Sequence, residues 1–376
     1  MKKLILFTFL FSFLACNPRT KEAAYSDPAG KNIVFEKPKN IILMIGDGMG
    51  LTQITAGMYI NGNKLNLERF KIIGLHKSYS SSNLITDSAA GATAFASGVK
   101  TYNGAIGVNP DTVAVQTILE QAEANSLATG LVATSTIVHA TPAAFIAHQK
   151  ERNMYEEIAD DFLKTDIDFF VGGGLKYFTQ RKDGRNLVKE LEAKGYFVSD
   201  SAKMDFNSVP VQFDKNFAYF TSEDSPLRYS QGRRYLVKAS EMACSFLDSR
   251  SEKGFFLMIE GSQIDWGGHA NDSDYIISEM IEFDNAVGKV LDFAEKDGHT
   301  LVIVTADHET GGYAINPGSK MDSIVPGFTT NYHTAALIPV FAFGPGAELF
   351  DGFYENTAIY KKMHKAFGFE ENVGTQ

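Results

Sequence analysis

Apolar positions along this chain fall into two kinds of run. Short, almost unbroken apolar stretches predict strands buried on both faces. They lie at residues 40–45, 128–133, 168–174 (a strand running into a glycine turn), 217–221, 254–259, 300–305 and 336–343. Stretches of mixed polarity between them predict helices at 51–56, 117–124, 151–163, 187–193, 234–249, 273–296 and 356–367. A further helix is predicted from the small-residue run Asp87-Ser88-Ala89-Ala90-Gly91-Ala92-Thr93-Ala94. Alanine favours helix, and Asp87 is a good N-cap.

Strands alternating with helices imply an α/β fold. The expected architecture is a three-layer sandwich, with a mostly parallel central sheet covered by helices on both faces. Several predicted strands end in an acid or a histidine: Gly46-Asp47-Gly48, Glu260 and Asp307-His308. Open α/β sheets bind ligands at the carboxyl ends of their strands. The titratable groups are therefore expected along one sheet edge. No Pro/Gly/Ser linker divides the chain, so residues 32–376 read as one domain with a small insertion at 312–330.

The first residues read differently. Met1-Lys2-Lys3 is basic, and residues 4–15 form an apolar run too short to span a bilayer. Ser12-Phe13-Leu14-Ala15-Cys16 resembles a bacterial lipobox, although Phe13 departs from the commoner leucine. This predicts a signal peptide over 1–16 with a lipid anchor on Cys16, although the same run also suits a plain secretory signal cut nearby. Either way a polar tether over 17–31 follows, and the protein is exported to the periplasm or cell envelope. Cys244 then has no partner and reads as a buried packing residue.

With 376 residues, 44% of them hydrophobic, the chain can build a substantial core. A net charge of −10 with no basic stripe argues against a nucleic-acid partner.

Ser88 at a helix start faces unpaired N–H groups and the positive end of the dipole. That suits a hydroxyl that accepts a phosphoryl group, although the same run also suits a plain capped, buried helix. The second stretch is Glu260-Gly261-Ser262-Gln263-Ile264-Asp265-Trp266-Gly267-Gly268-His269, in which an acid and a histidine four apart can face one ion. The third is Thr305-Ala306-Asp307-His308-Glu309-Thr310, and the fourth contains His333. Imidazole with carboxylate suits Zn²⁺, and carboxylate with hydroxyl and water suits Mg²⁺. Any one pair also reads as a hydrogen-bonded loop, but the set together with Asp47 and Ser88 is hard to explain by packing. His76, His148, His299 and His364 lack such a setting and read as structural or surface residues.

Taken in order, these motifs resemble the alkaline phosphatases of the two-zinc, one-magnesium type, from Asp47 to His333. The resemblance implies a phosphoric monoester hydrolase that works through a phosphoserine on Ser88. It implies that Arg152 clamps the phosphate oxygens. It assigns Asp265, His269 and His333 to one zinc, Asp47, Asp307 and His308 to a second, and Asp47, Thr141 and Glu260 to magnesium. Substrates would be phosphate monoesters of small molecules and nucleotides, and the protein would be a homodimer. His139 and Trp266, also placed against the substrate, stand where the enterobacterial pattern has Asp and Lys. His139 is expected to hydrogen-bond magnesium's waters, and Trp266 to remove a positive charge near the phosphate. A sulfatase on the same scaffold would need x-Pro-x-Arg after its nucleophile, whereas Ser88 is followed by Ala-Ala-Gly-Ala. A diesterase would gain less from Arg152. A non-catalytic metal- or phosphate-binding lipoprotein would be expected to lack part of this set.

Overall fold

Asn40–Gly46 is buried along its whole length, and its side chains alternate between two cores. Ile41, Leu43 and Ile45 enter one, Ile42 and Met44 the other. That division sets up the three layers. The structure, a computed structural model, describes residues 22–26 and 32–370. The expected signal peptide and Cys16 lie outside the described residues.

The strands form one sheet in the order Gly352–Glu355, Ile72–Lys77, Ile338–Phe343, Thr300–Thr305, Asn40–Gly46, Phe255–Gly261, Ala128–Thr136, Phe169–Gly173, Asn216–Phe220, Tyr196–Asp200. Ile338–Phe343 runs antiparallel to both of its neighbours, and every other pairing is parallel. One core carries the Ser88 helix through Ala89, Ala92, Phe95 and Ala96, and the Thr357–Phe367 helix through Ile359, Met363 and Ala366. The opposite core is covered by Leu236–Arg250 and Ser273–Asp297.

Three strands of the sheet were not foreseen: Ile72–Lys77, Tyr196–Asp200 and Gly352–Glu355. They lie at or next to the sheet's edges, where partial exposure breaks up the apolar run. The predicted 128–133 strand continues to Thr136, and the helix predicted from 151 begins only at Tyr155. Arg152 therefore sits in the preceding turn rather than on a helix. Within the expected tether, Glu22–Ser26 pairs antiparallel with Asn32–Glu36. Within the expected insertion, Ala314–Ile315 pairs with Pro326–Gly327. Cys244 is buried, as a packing residue should be. Among the described residues, no helix is long and apolar enough to cross a membrane.

Candidate active site and metal centre

The site begins at the Ser88–Ser97 helix. Asp87 caps it, with Oδ1 accepting from the Ala90 N–H at 3.0 Å. Its small side chains let the helix lie close to the strand ends. A Cβ on Gly91 would lie 2.9 Å from Asp307 Cβ. Ser88 Oγ emerges at the positive end of the helix, 3.3 Å from His308 Nε2.

Sheet register gathers the carboxylates. Ile45 pairs with Glu260 on one side and with Thr305 on the other. Asp47, Glu260 and Asp307 consequently share one edge, all fully buried. Asp47 leaves its strand through a turn in which Gly48 has φ +71°, and a Cβ there would lie 2.7 Å from Asp265 Cα. The Gln263–His269 helix then presents Asp265 and His269 on one face, with Asp265 Oδ1 3.4 Å from His269 Nε2. His333 arrives because Glu309–Thr310 pairs with His333–Thr334, which places it against Asp265 rather than elsewhere in the loop.

The side chains form three clusters whose ligand atoms lie within 4.8 Å of one another: Asp265, His269 and His333; Asp47, Asp307 and His308; and Asp47, Glu260 and His139. In the first, His269 Nδ1 donates to the Asn331 carbonyl at 2.7 Å and His333 Nδ1 to the Thr86 carbonyl at 2.8 Å. Both Nε2 atoms, 3.1 Å apart, are then left with lone pairs turned toward Asp265. Lone pairs facing lone pairs call for a cation between them. Asp47 Oδ1 and Oδ2, Asp307 Oδ2, Glu260 Oε1, His139 Nδ1 and Thr141 Oγ1 are likewise buried without a hydrogen-bond partner. Such atoms are costly unless an ion satisfies them. The donor set therefore fits metals: histidine with carboxylate for Zn²⁺, and an oxygen-rich group at Asp47, Glu260 and Thr141 for Mg²⁺.

Electrostatics agree. Burial, then the charges of Asp307, Asp265 and Glu260, push Asp47 well above its ordinary value. Burial raises Glu260 to about 7 and Asp307 to about 6. Burial acts to raise Asp265 too, but the imidazoles of His333, His308 and His269 around it hold it below the usual carboxylate range. Burial drives His308 well below, and His139 down to about 3.

Arg152 is half-buried and donates to Asp87 Oδ2 at 3.0 Å, an oxygen that also accepts from the Gly104 N–H at 3.0 Å. The residue that caps the nucleophile's helix thus also aims the guanidinium, a second role not read from the sequence. Trp266 meets His139 edge-on, with ring centroids 6.0 Å apart. Ser135, which donates to Glu260 Oε2 at 3.4 Å, was also missed. So was Glu309, which accepts from Gln53 Nε2 at 2.8 Å and from the Tyr313 N–H at 3.0 Å. Glu309 was legible as a motif neighbour of His308, whereas Ser135 needed the register of its strand. The other histidines lie elsewhere. His76 is buried on the Ala306 carbonyl, His148 pairs with Glu120, and His299 is exposed.

The sequence profile of the alkaline phosphatase family matches residues 38–326. Alkaline phosphatase 3 of Bacillus subtilis (strain 168) is 33% identical, over 98% of this chain and 97% of that protein. The alkaline phosphatase of Escherichia coli (strain K12) is 32% identical, over 90% of this chain and 88% of its own. The solved alkaline phosphatase from the Antarctic bacterium TAB5 is 46% identical and covers 90% of this chain and 100% of its own, with a TM-score of 0.84. A His-to-Asp variant of the TAB5 enzyme has been solved with Mg bound.

Proposed function

The chain belongs to the alkaline phosphatase family and is a metal-dependent phosphate monoester hydrolase; from that premise we propose that Ser88 is its nucleophile, carrying the phosphoryl group as a phosphoserine. The observation that carries this reading is the Ser88 hydroxyl at a helix N-terminus, 3.3 Å from an imidazole set among buried carboxylates.

Asp265, His269 and His333 would hold one Zn²⁺, and Asp47, Asp307 and His308 a second. Asp47, Thr141 and Glu260 would hold Mg²⁺, with His139 beside them. When bound, these ions supply Lewis-acid stabilisation of the attacking and leaving oxygens of an in-line displacement. Ser88 Oγ bonds to phosphorus as the bond to the alcohol oxygen breaks, and the alcohol departs. Water then attacks the phosphoserine from the vacated side, and inorganic phosphate leaves while Ser88 recovers its proton. The first N–H groups of the Ser88 helix face the added charge. Arg152, steadied by Asp87, offers a planar fork to two phosphate oxygens, which a lysine would not match. Trp266 leaves the site without a nearby lysine charge, so phosphate is held less tightly.

The proposal extends to the ends of the chain and its partners. Cys16 would carry a lipid anchor that ties the exported protein to the cell envelope, and two copies would form a homodimer. The N-terminal mass of the mature protein and its sedimentation read these out directly.

The test is hydrolysis of p-nitrophenyl phosphate by wild type, by Ser88→Ala, and by chelator-stripped protein before and after refilling with Zn²⁺ and Mg²⁺. Activity is expected to fall to near background in the variant and the stripped protein, and to return on refilling. A Ser88→Ala protein that keeps wild-type turnover would remove Ser88 from the role.

A further inference from the structure

Thr310 closes the motif Thr305-Ala306-Asp307-His308-Glu309-Thr310, and its hydroxyl touches both histidine–carboxylate clusters. It is fully buried. Its Oγ1 lies 2.5 Å from Asp265 Oδ1, in one cluster, and 3.3 Å from His308 Nδ1, in the other. We propose that Thr310 is a positioning residue that couples the two clusters by fixing the orientation of Asp265 and the tautomer of His308. This rests on the reading above that both clusters hold cations.

The argument is one of proton count. A hydroxyl has a single proton, and a carboxylate can only accept. Thr310 therefore donates to Asp265 and accepts from His308, which puts the imidazole proton on Nδ1. The lone pair is left on Nε2, which faces Asp307 Oδ2 at 3.2 Å, Ser88 Oγ at 3.3 Å and Asp47 Oδ1 at 3.5 Å. A cation ligand needs its lone pair on that nitrogen. His269 and His333 obtain the same outcome from backbone carbonyls, whereas the acceptor for His308 is a hydroxyl that also serves Asp265.

Packing holds that hydroxyl in place. A Cβ on Gly48 would lie 2.7 Å from Thr310 Oγ1, and one on Gly268 would lie 2.7 Å from Thr310 Cβ. The glycines beside Asp47 and His269 thus leave room for Thr310 and leave it little freedom to turn.

Two variants separate the hydroxyl from the packing. Thr310→Val keeps the shape and loses the hydroxyl; Thr310→Ser keeps the hydroxyl and loses a methyl. The readouts are Zn²⁺ affinity by chelator competition and the visible absorption of the Co²⁺-loaded protein, which follows coordination geometry. The valine variant is expected to bind about 10–100-fold more weakly at both clusters, the usual cost of losing such an outer partner, with a changed Co²⁺ spectrum. The serine variant is expected to stay close to wild type in both. Wild-type affinity in the valine variant, loss confined to one cluster, or a serine variant worse than the valine one would each overturn the proposal. Independently of any variant, ¹⁵N NMR of wild type should find the His308 proton on Nδ1, and a proton on Nε2 overturns it. A wild-type chain that binds no Zn²⁺ would sink the cation reading along with Thr310's role. Equal binding by wild type and valine variant would sink the Thr310 role alone.

Discussion

Asp87 shows how much one short side chain can carry. One oxygen caps the Ser88 helix, and the other receives Arg152 and the Gly104 amide. Asp87→Ala is expected to cost about 1 kcal/mol of stability through the lost cap. It is also expected to raise KM for a monoester by about tenfold, as Arg152 loses the partner that aims it and a charge-assisted bond of this kind is worth about 1.5–3 kcal/mol. Thermal melting and steady-state kinetics on the same preparation check both effects. An unchanged KM would show that Arg152 is aimed without Asp87. The capping role could be read from the sequence, because a cap is local and depends on the next few residues. The pairing with Arg152 could not, because 65 residues separate the two and a turn rather than a helix presents the arginine.

At the scale of elements, the Ser88 helix and the strand ends meet without a gap. Gly91 is the clearest sign, since any side chain there would meet Asp307. Helix propensity alone predicts that Gly91→Ala gains about 1 kcal/mol. Contact with Asp307 should reverse that, because the helix can shift only by moving Ser88 away from His308. Turnover is expected to fall by about tenfold to a hundredfold, since a displacement of that order costs as much. Full activity in Gly91→Ala would mean that the helix has slack. Element identity was largely legible, as in the buried Asn40–Gly46 and Thr300–Thr305 strands, whose apolar runs have no polar interruption. Ile72–Lys77 was missed because its alternately exposed pattern is set by its place near the sheet's edge.

Across the whole molecule, the cost of the site should show in stability. Without metal, Asp47, Asp307 and Glu260 keep their protons to higher pH in the fold than in the unfolded chain. The folded state then binds the extra protons, so stability falls as pH rises through that range. His76, His139 and His308 shift the other way, and their contribution rises with pH until the unfolded imidazole has titrated, at about 6.5. Below that pH the two sets offset each other. Above it Asp307, raised only to about 6, has titrated. Asp47 and Glu260 then act together with His333, whose imidazole pKa is also raised in the fold and so loses stability in the same direction. Metal-free protein is therefore expected to lose melting temperature from about pH 6.5 upward, by roughly 2 °C per pH unit for each excess proton. Protein refilled with Zn²⁺ and Mg²⁺ should not, because bound cations replace the protons. Scanning calorimetry with and without chelator checks this, and a metal-free melting temperature that rises over that window would count against a buried cation site.

The sequence by itself determined the strand–helix alternation, the cap at Asp87, and the residue types gathered at strand ends. These are local properties, set by periodicity and by the chemistry of neighbouring residues. Tertiary structure alone decided which of those groups meet. Register places Glu260 beside Ile45, strand pairing brings His333 to Asp265, and a turn carries Arg152 to Asp87. Such contacts depend on chain closure over tens to hundreds of residues, and no local pattern encodes which long loop closes on which strand end.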